Sequence, residues 1–372
     1  MDFALSEEQE MVKNMARDFF TDKVPRAVIL ELEQSDTGNS SEIWAEIAEL
    51  GWMGLSLPEQ FGGSGESFLT LGVLLEEMGR SAFISPYFST IVLGGLPIMD
   101  AGTDEQQQRY LPGIAAGKTI FTLALTEQNT RYGTASVNLE AEKGSDNYLL
   151  NGTKLFVPNA NIADHLICAA KTSEAGITLF IVDTTNPGIT CTELNTISGD
   201  KLFEVDFQKV SVSIENVLGQ VDTGQELLLS IFRRAAVAEC CQMVGGMQKV
   251  LEMTIDYTKD RVQYGHPIGS FQAIQHFLAN MAIDIDGARF TSYNAAWMMS
   301  QNIPCGKEVA VAKAWTSQTY RRIVRVAHQI HGALGFTVDH DLQFYFRRAQ
   351  AAAPTFGDTR YYEQEIGRQI VP

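Results

Sequence analysis

A chain of 372 residues, 45% apolar and 20% charged, has ordinary soluble composition and length enough for two or three units with substantial cores. Its 28 Lys and Arg against 45 Asp and Glu give a net charge of −17, which argues against broad nucleic-acid or anionic-membrane surfaces and leaves room only for local basic pockets. The acidic start MDFALSEEQE lacks the basic and apolar regions of a secretory signal, no apolar stretch nears the roughly 20 residues of a membrane span, and the scattered Cys168, Cys191, Cys240, Cys241 and Cys305 suit free thiols in a reducing cytoplasm.

From Ser6 to about Gly117 the apolar residues recur at three and four, in EEQEMVKNMARDFF, SEIWAEIAEL and FLTLGVLLEEMG, separated by SDTGNS, PEQFGGSGES and PYFST. These segments predict helices. The carboxylates of SEEQE favour a helix N-terminus through its dipole. From about Thr119 to Gly219 the pattern shortens to β-rich runs, TIFTLALT, YLLNGTKLFV, ADHLICAA, ITLFIVD and KVSVSI, divided by KGSDN, TSEAG and TTNPG. The last third is helical again. There Phe271, Ile274, Leu278, Met281 and Ile285 form a stripe expected to be the core of a helix bundle.

One stretch of that last third, YTKDRVQYGHPIGSFQAIQHFLANMA (residues 257–282), interrupts a helical pattern with Gly265, Pro267 and Gly269 and resumes it at Phe271-Gln272. Arg261, Tyr264 and Gln272 flank the break. A guanidinium can fork onto phosphate oxygens, an aromatic face can support a heterocycle, and glycine admits close backbone approach. The plainer alternative is that Arg261 caps a helix C-terminus and Gly265 merely ends the helix.

Four segments in order resemble the acyl-CoA dehydrogenase family over almost the whole chain. ALTE (Ala124 to Glu127) is similar to its strand-end flavin motif, and LNGTKLFVPNANIAD (Leu150 to Asp164) to its second flavin-facing strand pair. DRVQYGHPIGSFQAIQHFLANM resembles its R-x-Q-F-G segment, and QIHGALGF (Gln329 to Phe336) its Q-x-x-G-G-x-G turn. The resemblance implies an FAD enzyme of α+β class, mainly α: an N-terminal helical domain (1–118), a middle β-sheet or barrel domain (119–222) and a C-terminal four-helix bundle (223–372). It implies that Leu125, Thr126, Phe156 and Pro158 border the flavin ring. Arg261, Tyr264, Phe271, Gln272, Gln329 and Gly332 would reach the ADP half of an FAD held largely by a neighbouring subunit. Pro158 departs from the family's threonine or serine and has neither side-chain donor nor N–H; Ala333 replaces the second glycine of the turn.

The family's reaction removes the α-proton of an acyl-CoA, which requires a positioned carboxylate. The usual position falls on Phe356 and the alternative one near Ala235, and neither is a base. Asp358, two residues past Phe356, and Glu239, one helical turn beyond Ala235, are the candidate replacements. Each also has a bland reading: Asp358 as N-cap of the TRYYEQEIGR helix, Glu239 as partner of an arginine such as Arg234. His328 and His331 lack an accompanying ligand cluster and read as groove-lining or packed residues, while RRIVRVAH (Arg321 to His328) reads as a solvated or inter-subunit helix face.

Two functions follow from the resemblance. One is an acyl-CoA dehydrogenase acting on fatty, branched or sterol side-chain acyl-CoA as a homodimer or homotetramer, with an electron-transfer flavoprotein as a candidate acceptor. The other is a non-catalytic subunit completing the FAD site of a heterotetramer with a related chain; Asp339-His340-Asp341-Leu342 followed by Phe356-Gly357-Asp358 resembles short bacterial members that work as unlike pairs. An oxidase or monooxygenase on the same fold has no feature in its favour.

Overall fold

The computed structural model describes residues 4–128, 132, 137–174 and 176–370. Ahead of the sheet lie α1 (Glu7–Lys23), α2 (Arg26–Gln34), α3 (Ser41–Glu49), α4 (Phe68–Arg80), α5 (Tyr87–Thr90), α6 (Leu96–Ala101) and α7 (Asp104–Ala115). Their starts are written locally. At α1, Ser6 Oγ accepts from Gln9 N and Gln9 answers by accepting from Ser6 N; Thr103 and Gln106 repeat this reciprocal cap at α7.

The strands are β1 (Phe121–Ala124), β2 (Glu140–Lys143), β3 (Asn147–Pro158), β4 (His165–Lys171), β5 (Ile177–Asp183), β6 (Ile189–Leu194), β7 (Leu202–Ser213) and β8 (Val217–Leu218). They form one sheet in the order β6-β7-β3-β2-β4-β5-β8, with β1 parallel to β4. β7 alternates buried and open positions. β5 is buried from Ile177 to Val182, matching its run ITLFIV, apolar but for Thr178, whose hydroxyl is hydrogen-bonded to Thr172 and to Asp222 N. Leu150, Cys168, Phe180, Val205 and Val210 lie fully enclosed in the resulting core.

The helical remainder comprises α8 (Gly224–Asp260), α9 (Gln272–Ser300), α10 (Gly306–His331), α11 (Leu342–Ala352) and α12 (Thr359–Ile370), with a small hairpin of β9 (Val262–Gln263) and β10 (His266–Pro267) between α8 and α9. By contacts the chain forms two compact units. One gathers the chain up to Ile29, Ser67–Phe83 and everything from Ala236; the other holds Leu30–Glu66 and Ile84–Ala235, including the whole main sheet.

In the first unit, small residues set how closely helices approach. A Cβ on Gly79 would fall 2.0 Å from Gln242 O, and one on Gly245 1.7 Å from Glu76 O, so α4 and α8 touch backbone to backbone. Glu76 is buried beside this crossing, accepting from Tyr293 Oη at 2.7 Å and pairing with Arg289 at 3.2 Å. The first half of α10 likewise buries mostly small residues, Ala310, Ala312, Ala314, Thr316 and Ser317, before larger ones such as Tyr320 and Ile323 follow. The expected apolar stripe on α9 is core only from Met281 onward. Ile274 and Leu278 are half-buried and Phe271 is exposed, because the first turns of α9 lack a covering element within the unit.

Candidate functional site

β1 ends at Ala124, and Leu125 to Gln128 continue off the ladder. β3 breaks register between Lys154 and Val157, where Phe156 takes φ +55°, a conformation that a bulky residue rarely adopts. The bulge turns the Phe156 ring outward, 57% exposed. Leu155 N donates to Thr126 O at 2.8 Å, joining the bulge to the strand end, and Thr126 is itself exposed. Thr126 and Phe156 therefore sit on the open side of one joint, with Leu125 half-buried beside them. Pro158 ends β3 beyond the bulge, and its carbonyl accepts from Thr122 Oγ1 at 2.6 Å.

A charged pair lies inside this joint. Lys154 has no exposed surface, and its Nζ stands 2.6 Å from Glu127 Oε1 and 3.2 Å from Leu125 O. Glu127 also accepts from Leu139 N at 3.0 Å and Asn138 N at 2.8 Å. Burial pushes the Glu127 carboxyl up, but the Lys154 ammonium and the two backbone donors outweigh it and hold the group below the usual carboxylate range.

The interrupted stretch of residues 257–282 resolves into a turn. β9 and β10 pair antiparallel through a two-residue loop, Tyr264 at φ +54° and Gly265 at φ +81°, the left-handed pair of a type I′ hairpin. A Cβ on Gly265 would meet nothing within 4 Å. The hairpin displays Tyr264, 92% exposed, with its ring edge-on to Phe271 at 6.3 Å. Arg261 N closes the end of α8 on Tyr257 O at 2.9 Å, while the guanidinium is exposed and enters no ion pair among the described residues. Gln272 is exposed in the first turn of α9.

The turn after α10 lies against the end of α8. The Tyr257 ring stacks on His331 with centroids 4.4 Å apart, and Tyr257 Oη donates to His331 O at 3.3 Å. His328 and His331 are both packed inward, and burial pushes the His331 imidazole below its usual value. Gln329 stays exposed, as does Gly332 at φ +62°, where a Cβ would again find open space.

The candidate bases sit among the helices. Phe356 (φ +55°) and Gly357 (φ +102°) wind the chain through two left-handed steps into α12, and Tyr362 Oη holds Phe356 O at 2.8 Å. Asp358 follows, half-buried, its Oδ1 accepting from Tyr361 N at 2.8 Å as the N-cap of α12. Glu239 is half-buried on α8, Ala235 is fully enclosed, and Arg234 is paired with Asp100 at 2.6 Å. A second buried lysine faces this region. Lys313 donates to Ser317 Oγ at 3.0 Å and to the carbonyls of Ala352 and Ala353 at 3.1 and 3.0 Å. Burial pushes its ammonium below the usual range, and Cys240, Glu239 and Asp358 pull it back.

Reading the sequence for binding residues overlooks both lysines. Lys154 had a signal: it shares the inward face of β3 with Tyr148 and Leu150, where a cation requires a buried partner.

In the sheet-bearing unit, an exposed phenylalanine forced left-handed beside a strand end offers a face to a planar ring; in the helical unit, taken by itself, a displayed tyrosine, a guanidinium with no ion pair among the described residues and open left-handed glycines suit a phosphate-bearing group. These residues fit FAD, and the helix–sheet–helix order belongs to a class of flavoprotein oxidoreductases. Comparison narrows the class. The acyl-CoA dehydrogenase N-terminal, middle and C-terminal domain profiles match residues 6–118, 122–210 and 222–371. An acyl-CoA dehydrogenase of Bacillus subtilis (strain 168) is 30% identical over 99% of this chain and 97% of its own. Among solved structures, butyryl-CoA dehydrogenase from Megasphaera elsdenii is 28% identical with a TM-score of 0.94 over 100% of both chains. The ChsE4-ChsE5 complex from Mycobacterium tuberculosis is 25% identical with a TM-score of 0.92, covering 100% of this chain and 99% of that one. The chain belongs to the acyl-CoA dehydrogenase family, whose members are FAD flavoproteins and oxidoreductases.

Proposed function

We propose that this chain carries out α,β-dehydrogenation of an acyl-CoA thioester drawn from fatty, branched or sterol side-chain acyl-CoAs. The observation that carries the reading is the outward joint of Thr126 and Phe156 over a buried ion pair, a surface built for a planar ring. FAD, when bound, supplies the two-electron acceptor. Leu125, Thr126, Phe156 and Pro158 hold its ring end. Arg261, Tyr264, Phe271, Gln272, Gln329 and Gly332 serve the ADP end of an FAD shared with a neighbouring subunit. An electron-transfer flavoprotein is the acceptor in this reading.

Asp358 takes the α-proton in this proposal. Its Oδ1 is engaged at the helix cap, while Oδ2 makes no hydrogen bond among the described residues and lies in the field of Lys313. Glu239, in the field of the same lysine, is the alternative base. The test is acyl-CoA-dependent bleaching of bound flavin. Asp358→Asn keeps the cap and removes the proton acceptor, so bleaching falls by orders of magnitude while Glu239→Gln bleaches like the parent. The reverse pattern moves the base to α8, and two variants that both match the parent reject both carboxylates.

Exposed apolar residues support an oligomer. Phe277 and Ile283 border a groove of about 320 Å³ with Met281, Ile323 and Val326, and Phe336 and Val338 are more than two-thirds exposed at 72% and 76%. A homodimer or homotetramer would cover them. Free buried thiols at Cys168, Cys240 and Cys241 support a cytoplasmic setting.

A second reading has its own support. Asp358 already serves as a helix cap and the two usual base positions hold Phe356 and Ala235, so this chain would complete the FAD site of an unlike partner in a heterotetramer. A parent protein that never bleaches alone but does so with a related chain carrying a glutamate at either position would establish it.

A further inference from the structure

We propose that the buried Lys154–Glu127 pair is the positioning and charge-setting element of the flavin-facing joint. This rests on the FAD reading above and goes beyond it by assigning a role to two residues that do not themselves border the ring. The geometry is closed on every side. Lys154 Nζ binds Glu127 Oε1 at 2.6 Å and Leu125 O at 3.2 Å, so one cation fixes the residue before Thr126 by its carbonyl and the residue after it by its carboxylate. The Leu155 N–H, next to Lys154 in the chain, holds Thr126 O at 2.8 Å. Glu127 in turn receives the Asn138 and Leu139 N–H groups at 2.8 and 3.0 Å, anchoring the returning chain. All three residues from Leu125 to Glu127 are thus tied to the 154–155 step of the bulge that turns Phe156 outward.

Placement gives the pair its second property. Glu127 and Lys154 point inward, while Thr126 and Phe156, each within two residues of them in the chain, open outward. Two compensating charges therefore lie one backbone layer beneath the proposed ring surface, shielded from water, where an imbalance is felt strongly. A net positive charge there favours the more negative, reduced cofactor. A net negative charge opposes it.

The test uses Glu127→Gln, Lys154→Met and the double variant in the full chain, reading the flavin midpoint potential and hydrogen exchange of the cofactor-free protein. Glu127→Gln leaves the ammonium unbalanced and raises the potential; Lys154→Met leaves the carboxylate and lowers it; the double variant returns close to the parent. In the cofactor-free protein, exchange at the Leu155, Asn138 and Leu139 N–H groups accelerates at least tenfold in the single variants, while β4 and β5 keep their protection. Single variants that shift the potential in the same direction, or leave it unmoved while lowering thermal stability, reduce the pair to a structural brace and overturn the proposal. The double variant, which leaves no buried charge, supplies folded protein where a single variant fails: a potential displaced from the parent's in it also overturns the charge-setting role. If the parent binds no FAD, the proposed function fails, and the exchange pattern alone upholds or overturns the positioning role.

Discussion

The strand-end joint and the 261–272 hairpin corner are both read as cofactor contacts, yet they are held by opposite means. At the joint, outward residues are fixed from beneath by a wholly buried lysine, a carboxylate and four further hydrogen bonds among Leu125, Thr126, Glu127, Asn138, Leu139, Lys154 and Leu155. At the corner the geometry is set by a two-residue turn, the end of α8 and short-range bonds such as Ile268 N to Arg261 O at 2.8 Å and Gln275 Nε2 to Gly269 O at 3.1 Å, with no buried charge among its described residues, and Arg261, Tyr264, Phe271 and Gln272 are exposed. The joint is preorganised by its own unit, so damage there should reach stability. The corner, in the proposed function, offers exposed groups to the cofactor, so damage there should reach affinity and leave the fold alone.

The largest expected effect tests that separation at its strong end. Lys154→Met leaves Glu127 buried without its cation, which should destabilise the protein by about 3 to 5 kcal/mol in chemical denaturation. Losing less than about 1 kcal/mol would mean that water reaches the joint and the contrast with the corner is false. Next comes Arg261→Ala, expected to weaken FAD binding by about 1.5 to 3 kcal/mol with an unchanged melting curve of the cofactor-free protein. A drop in cofactor-free stability would instead show Arg261 acting as a helix-end cap. Gly265→Val places a β-branched residue at φ +81°, which costs about 1 to 3 kcal/mol locally although no neighbour is near. Lower FAD retention with a nearly unchanged global midpoint would mark the hairpin as an independent local element.

Acid sharpens the comparison without mutation of the parent. The Glu127 carboxyl is held below its unfolded value, so its contribution is fully present above the unfolded pKa of about 4.3 and lost as pH falls through the lower folded value. Parent and Glu127→Gln/Lys154→Met should therefore differ in stability at neutral pH by an amount that changes only below about pH 4. Arg261→Ala should track the parent at every pH. The smallest effect is expected at α12: Asp358→Asn retains an N-cap oxygen and should change stability by a few tenths of a kcal/mol, against about 1 kcal/mol for Asp358→Ala.

Much of this architecture is legible locally. The capping signals Ser6-Gln9 and Thr103-Gln106, the mostly apolar run of β5 and the Gly-Pro-Gly interruption after Asp260 each state their structure in neighbouring residues, because caps, pleats and turns are decided within a few positions. The candidate contacts Thr126, Phe156, Arg261 and Tyr264 were legible through motif order. That Asp358 caps α12 was also foreseeable, since a carboxylate beside TRYYEQE needs only three residues to find its donor.

What only the tertiary structure decided depends on partners distant in sequence. Lys154 meets Glu127 27 residues away, and Lys313 meets the end of α11 39 and 40 residues away, so even where the strand pattern signals burial, as at Lys154, neither lysine names its partner in its own segment. The stripe of α9 looks uniform from Phe271 to Ile285, yet burial begins only at Met281, because a period reports which face is apolar and not what covers it. The left-handed Phe156 is decided in the same way. No local preference puts a phenylalanine at φ +55°; a register break against β7 and the hydrogen bond from Leu155 to Thr126 hold it there.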